Sequence, residues 1–544
     1  MATAAGDASF GEQSLFVRKA TGLVRGWSVW DAFIYSAFSI NLVTLGFYAF
    51  SYQPFIPKGS LLWAVVLSGA YLVLQAITYA SLIAAMPRAG GDYVWISRTL
   101  GGGIGFVLAA CGWWFILWHW VPIYANILNG EVFVPIFAIV GWSGGVDYFS
   151  RSAGLFTSSL IVAFAASALV ALGIRAYARF QKICFYGGVV GLAIMAILLL
   201  VHTKSDFAAA FNSNTQDLFG TTGDAYAQTL KVGNAGVGSI TSFAVGSTIL
   251  LIPFIFFFNL WSNWGATLYG EVRGASDFRK NIYAMGGALI VTTIVGALML
   301  GLFGKTFGWD WYNAANNAYW GTIYGYVSGA PLGATFPYPG LFAAFFFGSK
   351  VLQFIVVGLL SLWFFGWMGT VFMSSTRVVF ATAFDRVLPE WAAKVSNQGV
   401  PYPALALMLI PSIPIAYFYA YNATFTQWTL DATLVIAITF AGSAVAAAVL
   451  PWRKPQIYNA SPIAKYRVVG VPLITVAALG FLVILGFALY KWFQDDVYGV
   501  NNHSSLWYMA ALYGAAIVIY VISRLYRRSQ GMNLKMVYDE IPAE

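Results

Sequence analysis

Long stretches without Lys, Arg, Asp or Glu alternate with short charged segments along the chain. Thirteen of these uncharged stretches reach at least 21 residues, and they cover 32–57, 59–87, 104–130, 152–174, 183–203, 232–270, 281–304, 311–349, 351–376, 395–430, 432–452, 468–490 and 497–523. A membrane-spanning helix needs about 20 predominantly apolar residues, so most of these stretches can cross a bilayer. The pattern predicts an all-α integral membrane protein.

One stretch has an unsuitable composition for a span. Residues 311–340 hold three Asn, five Gly and three Pro among Tyr and Trp, so we interpret them as a loop that leads into the next helix. Twelve spans remain. Because twelve is an even number, both termini are expected on one side of the membrane.

The basic residues test this topology, because cytoplasmic loops carry an excess of Lys and Arg. With a cytoplasmic N-terminus, 22 of the 29 Lys and Arg residues fall on inner segments and 7 on outer segments. The split supports twelve spans with both termini cytoplasmic, and we expect the membrane to be the plasma membrane. It also accounts for the net charge of +9, so a nucleic-acid partner is not needed to explain that charge.

Composition and motifs argue against an enzyme. The chain is 60% apolar and 9% charged, whereas soluble domains carry roughly 25% charged residues. Membrane haem enzymes ligate iron through several helical His residues, but of the three His residues only His119 lies well inside a predicted span, away from the ends of its uncharged stretch. We therefore expect no cofactor and no metal. Secondary transport is the main remaining class, and an ion channel or structural membrane subunit is the rival.

Spans 1 and 6 carry polar residues near the middle of the membrane, where such groups are costly unless they line a cavity. Secondary transporters commonly contain interrupted helices at corresponding positions of two inverted halves, and the interruptions form the binding site. We therefore predict that spans 1–5 and 6–10 are inverted repeats whose first helices are broken. The alternative is that these polar side chains only join neighbouring helices. The residues concerned are Ser39, Asn41, Thr44 and Gly46 in span 1, and Asn259, Ser262 and Asn263 after Pro253 in span 6.

Four segments carry motifs of a known family. Met86 to Phe106 reads MPRAGGDYVWISRTLGGGIGF, Gly173 to Gln181 reads GIRAYARFQ, Thr376 to Pro401 reads TRVVFATAFDRVLPEWAAKVSNQGVP, and span 6 contains NLW followed by YGEV. Each segment resembles a motif of the amino acid/polyamine/organocation (APC) superfamily and lies where the topology predicts it. The resemblance implies a fold of five plus five inverted helices with two peripheral helices, working by alternating access.

The resemblance also implies how an amino acid would bind. Its carboxylate would meet free N–H groups at the break in span 1, and its amine would meet carbonyls freed in spans 1 and 6. The family's Gly-x-Gly is absent, so the break lies either at Thr44-Leu45-Gly46 or at Ser39-Ile40-Asn41. The predicted binding residues are Ser39, Asn41, Thr44, Gly46, Phe257, Phe258, Asn259, Trp261 and Asn263.

Two of these residues raise separate questions. Trp261 stands where the family has a small Gly, so its ring should reshape the pocket. Phe257 falls where relatives place an aromatic gate, and a core or lipid-facing Phe is the alternative.

The coupling ion is either H⁺ or Na⁺. Some proton-coupled relatives use a Lys in span 5, but Gly188 stands at that position. His119 is a candidate proton site, because ionisable groups inside membranes are usually functional, and a structural His is the alternative. Sodium-coupled relatives use hydroxyls of span 8, where Thr370 and Ser374 lie one turn apart.

No Asp or Glu lies in the middle of predicted spans 1, 3, 6 or 8, so no counter-ion awaits a second positive charge on the substrate and we predict a carrier of neutral amino acids. We also expect this carrier to be proton-coupled. A polyamine or organic-cation carrier and an amino acid exchanger are the alternatives, and the sequence leaves the oligomeric state open. The predicted segments are a cytoplasmic tail at 1–26, a first repeat at 27–202, an extracellular loop at 203–237, a second repeat at 238–452 with an extracellular loop at 305–340, two further spans within 468–525 and a cytoplasmic tail at 526–544.

Overall fold

The computed structural model describes residues 23, 25–234, 244–423, 425 and 428–539. Within this part of the chain, twelve helices are long and apolar enough to cross a membrane, so the prediction of an all-α, twelve-span protein is confirmed. The spans, numbered 1 to 12, are Val29–Phe50, Leu61–Ala85, Gly102–Ile139, Ser152–Ala171, Ile174–Val201, Val245–Glu271, Phe278–Tyr324, Lys350–Phe384, Tyr402–Tyr421, Leu430–Arg453, Leu473–Gln494 and His503–Ser529.

Short helices and one small hairpin connect the spans. The strands Arg467–Val468 and Val471–Pro472 pair antiparallel between spans 10 and 11. The connecting α-helices are Asp92–Thr99, Ser143–Phe149, Lys204–Phe219, Ala225–Gly233, Pro339–Ala344 and Pro455–Ala460, and a further short helix, Leu534–Val537, follows span 12. We call the end of the bundle that holds residues 25–28 and 530–539 the terminal face, and the other end the opposite face.

The structure differs from the sequence prediction in the long loops on the opposite face. Residues 309–324, which we interpreted as part of a loop, form the helix Trp309–Tyr324 that continues span 7 after a π-helical turn at Gly304–Gly308. This helix is stabilised by tertiary contacts: Trp311 stacks on Tyr226 with ring centroids 5.3 Å apart, and Asn317 donates to the carbonyl of Gly233. Packing therefore overrides the poor helix propensity of Asn and Gly.

Span 3 is also longer than its uncharged stretch. The uncharged stretch ends at Gly130, whereas the helix continues to Ile139. A π-helical segment, Asn129–Phe133, lies within this extension and contains Glu131. The structure thus places a carboxyl group inside a span for which the sequence predicted none.

Span 1 is broken near its middle. Its first half, Val29–Ile40, begins with a capping box formed by Ser28 and Asp31. The α-helix ends at Asn41, whose φ of 49° is left-handed, and a π-helical turn, Leu42–Gly46, follows. Asn is one of the few residue types that adopt this conformation readily, because its side chain can hydrogen-bond locally. Here Oδ1 of Asn41 accepts from the N–H of Thr44 at 3.3 Å.

Span 6 is broken at a corresponding point. Its α-helix, Val245–Asn259, gives way to a turn over 260–263 and then to the 3₁₀ helix Trp264–Glu271. The side chain of Gln75 in span 2 donates to the carbonyl of Leu260 at 2.9 Å, which satisfies one group released by the break. Spans 1 and 6 therefore both carry non-α backbone in the interior of the bundle.

Candidate functional site

A small cavity lies where the two broken spans meet spans 3 and 8. We call it the central cavity, and its lining residues are Ser39, Leu45, Trp120, Tyr124, Trp261, Trp264, Trp367 and Thr370. Its volume is about 10 Å³, which is close to the smallest space that can hold one water molecule. The bundle is therefore closed around its centre.

Aromatic rings form most of the wall of the central cavity. Trp120 stacks on Phe257 at 5.5 Å between ring centroids and meets the edge of Trp261 at 5.4 Å. Tyr124 lies flat against Trp367. None of the described residues that line this cavity is charged, so it favours a ligand without net charge.

The predicted residues of span 1 divide between the cavity and the packing around it. Of the two candidate positions for the break, the structure has the Ser39-Ile40-Asn41 position, with the distortion continuing to Gly46. Ser39 lines the cavity, whereas Asn41 donates to the carbonyl of Trp363 in span 8. Thr44 is buried, and a Cβ on Gly46 would come within 3.0 Å of the Phe258 ring.

The predicted residues of span 6 divide in the same way. Trp261 lines the cavity and donates through Nε1 to the carbonyl of Phe257 at 2.8 Å. Asn259 donates to Ser68 at 2.6 Å, and Asn263 accepts from Gln75 at 3.1 Å. Both Asn side chains therefore join span 6 to span 2, as in the alternative in which polar groups hold helices together.

Thr370 and Ser374 belong to a buried hydroxyl cluster at the edge of the cavity. Thr370 hydrogen-bonds to the hydroxyl of Tyr124 at 3.1 Å. Ser374 hydrogen-bonds to the hydroxyl of Tyr35 at 2.7 Å and donates to the carbonyl of Trp264 at 2.8 Å. These contacts fix the positions of both hydroxyls, and their role in sodium binding stays a prediction.

His119 lies outside the central cavity. Its ring packs against Tyr419 at 5.1 Å and Tyr508 at 5.9 Å between centroids, on the side of span 3 that faces spans 9 and 12. The next residue, Trp120, is the one that lines the cavity. A coupling role for His119 stays a prediction.

A larger cavity, which we call the vestibule, lies toward the opposite face. Its volume is about 270 Å³, enough for an amino acid, and its walls include Tyr48, Asn126, Glu131, Arg151, Tyr319, Phe336 and Tyr419. Arg151 is exposed, whereas Glu131 is only 1% exposed. The vestibule thus runs from an exposed rim to a buried carboxyl group.

A set of aromatic rings, here called the aromatic plug, separates the vestibule from the central cavity. It consists of Tyr48, Tyr52, Phe257, Trp320 and Phe336. Tyr48 stacks on Phe336 at 5.3 Å, and Tyr52 stacks on Trp320 at 5.4 Å. Phe257 contacts both Tyr48 and Tyr52 and stacks on Trp120 of the central cavity. The plug therefore joins the second half of span 1, which contains Tyr48, to the first half of span 6, which contains Phe257.

Polar contacts close the terminal face. Arg377 of span 8 makes two bonds to Glu271 of span 6, at 2.7 and 3.2 Å, and both side chains are buried. Arg98 makes a similar buried double contact with Asp385. Buried charges of this kind require partners, so each pair holds together segments that are distant in sequence.

Trp27 adds an anchor at the start of span 1. Its backbone N–H donates to the carbonyl of Glu271 at 3.2 Å, and its carbonyl accepts from Arg273 at 2.9 Å. Its indole Nε1 donates to the carbonyl of Ile174 at the start of span 5 at 2.9 Å. The first half of span 1 is thus attached to spans 5 and 6 at the terminal face.

Asp92, in the motif after span 2, is the centre of a further buried network. Its carboxylate accepts from Tyr79 and Ser443, each at 2.6 Å, and from Trp113 at 3.1 Å. Burial raises the pKa of Asp92 to about 6, although the three hydrogen bonds oppose this rise. The network joins spans 2, 3 and 10 behind Trp264, which packs against Trp113 at 4.5 Å.

Sequence reasoning missed several residues that the structure brings to the two cavities. Glu131 was overlooked because it is itself the charged residue at which the uncharged stretch 104–130 ends. Trp120 and Tyr124 are one turn apart in a predicted span, so their spacing predicts a shared face, but it does not show which neighbour that face meets.

The sequence profile of the amino acid permease family matches residues 27–517. A search of curated proteins finds no match to the chain. The matched region includes both broken spans, both cavities and the contacts that close the terminal face. Because the match covers most of the chain, the protein belongs to the amino acid permease family of the APC superfamily, whose members are transporters and not enzymes.

Proposed function

We propose that this permease carries neutral amino acids across the plasma membrane by alternating access, driven by a proton gradient. The observation that carries the proposal is the central cavity, in which two broken spans meet a wall of aromatic and hydroxyl groups. Broken helices present backbone N–H and C=O groups of the polarity that a zwitterion needs. An extra positive charge on the substrate would find no described carboxylate there, and burying it unpaired would be costly.

The proposed cycle follows from the two sets of closing contacts. Opening the aromatic plug would admit substrate from the vestibule to the central cavity. Opening the contacts of Trp27, Glu271 and Arg377 would release it at the terminal face. The excess of Lys and Arg on segments of the terminal face supports a cytoplasmic assignment for that face.

Uptake into proteoliposomes tests this proposal. Radiolabelled neutral amino acids should accumulate when the side facing the vestibule is more acidic, and unlabelled neutral amino acids should compete better than arginine, lysine or putrescine. Accumulation driven by a sodium gradient at equal pH would instead favour the Thr370 and Ser374 hypothesis. Tighter competition by putrescine or arginine than by any neutral amino acid would contradict the neutral-substrate prediction.

Single Cys residues test the orientation. A Cys near Arg179 or Lys454 should react with an impermeant reagent only from the cytoplasm, and a Cys near Asp217 only from outside. Reaction of both groups from one side would contradict the orientation.

A further inference from the structure

Glu131 is a carboxyl group that the closed structure leaves without a polar partner. It is 1% exposed and lies on the π-helical turn Asn129–Phe133 of span 3. Within the described part of the chain, neither of its side-chain oxygens has a hydrogen-bond partner, and none of the ion pairs found there includes it. Turns of this π-helical kind occur frequently at functional sites.

The groups around Glu131 do not neutralise its charge. Arg151 lines the same vestibule but is exposed at its rim. The other titratable groups described around Glu131 are tyrosines, which are uncharged near neutral pH. Tyr48, Tyr319 and Tyr419 line the same vestibule, and Tyr312 and Tyr338 lie close enough to interact with the carboxyl group. An ionised carboxylate buried without donors is costly, so the closed arrangement favours a protonated carboxyl group at this position.

The position of Glu131 links its charge to the part of the bundle that must move. Asn126, on the same span, donates to the hydroxyl of Tyr48 at 3.3 Å. Tyr48 lines the vestibule and belongs to the aromatic plug. Both side-chain oxygens of Glu131 are buried in the closed structure, so hydrating an ionised Glu131 requires the surrounding vestibule wall, which includes Tyr48 of the plug, to loosen. A neutral Glu131 permits the dry, closed plug.

We propose that Glu131 is the group that takes up the driving proton from the vestibule. This inference rests on the proposed proton-coupled function and names its ionisable site. A hydronium ion in the vestibule transfers one proton to a carboxylate oxygen of Glu131, which forms an O–H bond and leaves a water molecule. The plug can then close over substrate in the central cavity.

The test compares Glu131→Gln with the wild type in proteoliposomes. A pH difference of about 2 units coupled to one proton supports up to about 100-fold accumulation of a neutral substrate. In Glu131→Gln, accumulation should fall to the level without a gradient, while exchange of labelled for unlabelled substrate stays within twofold of the wild type. Exchange should also lose its dependence on the pH of the vestibule side, and Glu131→Asp should recover part of the accumulation.

Asp431→Asn is the matched control. Asp431 is also a fully buried carboxyl group, but it lies on span 10 outside the vestibule, so its neutralisation should keep the ratio of accumulation to exchange. His119→Gln should behave in the same way if Glu131 carries the proton. Normal accumulation in Glu131→Gln, or its selective loss in His119→Gln, would overturn the assignment of Glu131.

Two further outcomes would count against the proposal. Equal loss of substrate binding, exchange and accumulation in Glu131→Gln and Glu131→Asp would assign the carboxyl group to the substrate amine or to folding. Absence of gradient-driven accumulation in the wild type would overturn the proposed coupling together with this assignment. The second outcome is seen in the wild type itself, so it can be distinguished from a result in which only the assignment of Glu131 fails.

Discussion

The anchor formed by Trp27 should set how often the terminal face opens. Its side chain is 1% exposed, packs against Tyr35 at 5.0 Å between ring centroids and donates to the carbonyl of Ile174. If these contacts form only in the closed state, removing them raises the open population directly. The backbone bonds of Trp27 to Glu271 and Arg273 do not depend on the side chain, so they remain in any variant.

Two substitutions give graded magnitudes. Trp27→Phe keeps an aromatic ring, although a smaller one, and loses the hydrogen bond to Ile174. Loss of that bond costs about 0.5 to 1.5 kcal/mol, which corresponds to a shift of roughly twofold to tenfold in the open population. Trp27→Ala loses the whole ring, which costs about 3 to 5 kcal/mol in buried sites. The open population should then rise by two or more orders of magnitude, up to the point where the open state predominates.

Labelling of the central cavity measures this population. Ser39→Cys, in a background without Cys111 and Cys184, places one thiol in the cavity wall, and an impermeant maleimide is added from the terminal face. The labelling rate should increase in the order wild type, Trp27→Phe, Trp27→Ala. Trp507→Ala, at a position 75% exposed on span 12, is the control and should label as the wild type does. Equal rates in Trp27→Ala and Trp507→Ala, with both proteins folded, would refute the reasoning.

Two further predictions concern the buried charges. Arg377→Met or Glu271→Gln alone should lower the free energy of unfolding by about 3 to 5 kcal/mol, because each leaves one buried charge unpaired. The double variant should lose less than the sum of the two single losses, and a loss equal to that sum in thermal denaturation would contradict the pairing. Because its raised pKa of about 6 exceeds the ordinary carboxyl value of 3.8, Asp92 makes the folded protein bind a proton between about pH 4 and 6 that the unfolded chain does not hold. Stability should therefore fall by up to about 3 kcal/mol as pH rises through this window, and Asp92→Asn should remove this contribution to the slope of Tm against pH; an unchanged slope would count against it.

The uncharged stretches were sufficient to predict the spans because a bilayer accepts few charged residues. The same rule failed at Glu131, since a buried vestibule inside the bundle shields a carboxyl group from lipid, and a sequence does not show where such a cavity lies. Residues 309–324 were misread for a related reason. Their Asn and Gly residues disfavour an isolated helix, but contacts with Tyr226 and Gly233 stabilise the helix from elements distant in sequence.

The broken spans were predictable as a pair, but the direction of each side chain was not. Polar residues at matching places in spans 1 and 6 indicated the breaks. Whether Asn259 and Asn263 face a cavity or a neighbouring helix depends on Ser68 and Gln75 of span 2. Those partners cannot be identified from one sequence, because helical periodicity gives a shared face without naming what that face meets.

The aromatic plug and the ion pairs close the two ends of the bundle by different chemistry, and the surrounding solution should therefore act on them unequally. Separating Tyr48, Tyr52 and Trp320 wets apolar ring surface, which excluded solutes such as sulfate oppose and urea favours. The pairs at Glu271 and Asp385 are buried, so dissolved ions screen them only weakly. Strongly excluded salts on the vestibule side should thus keep the permease closed to that side, and slow the entry of substrate, without a matching effect at the terminal face.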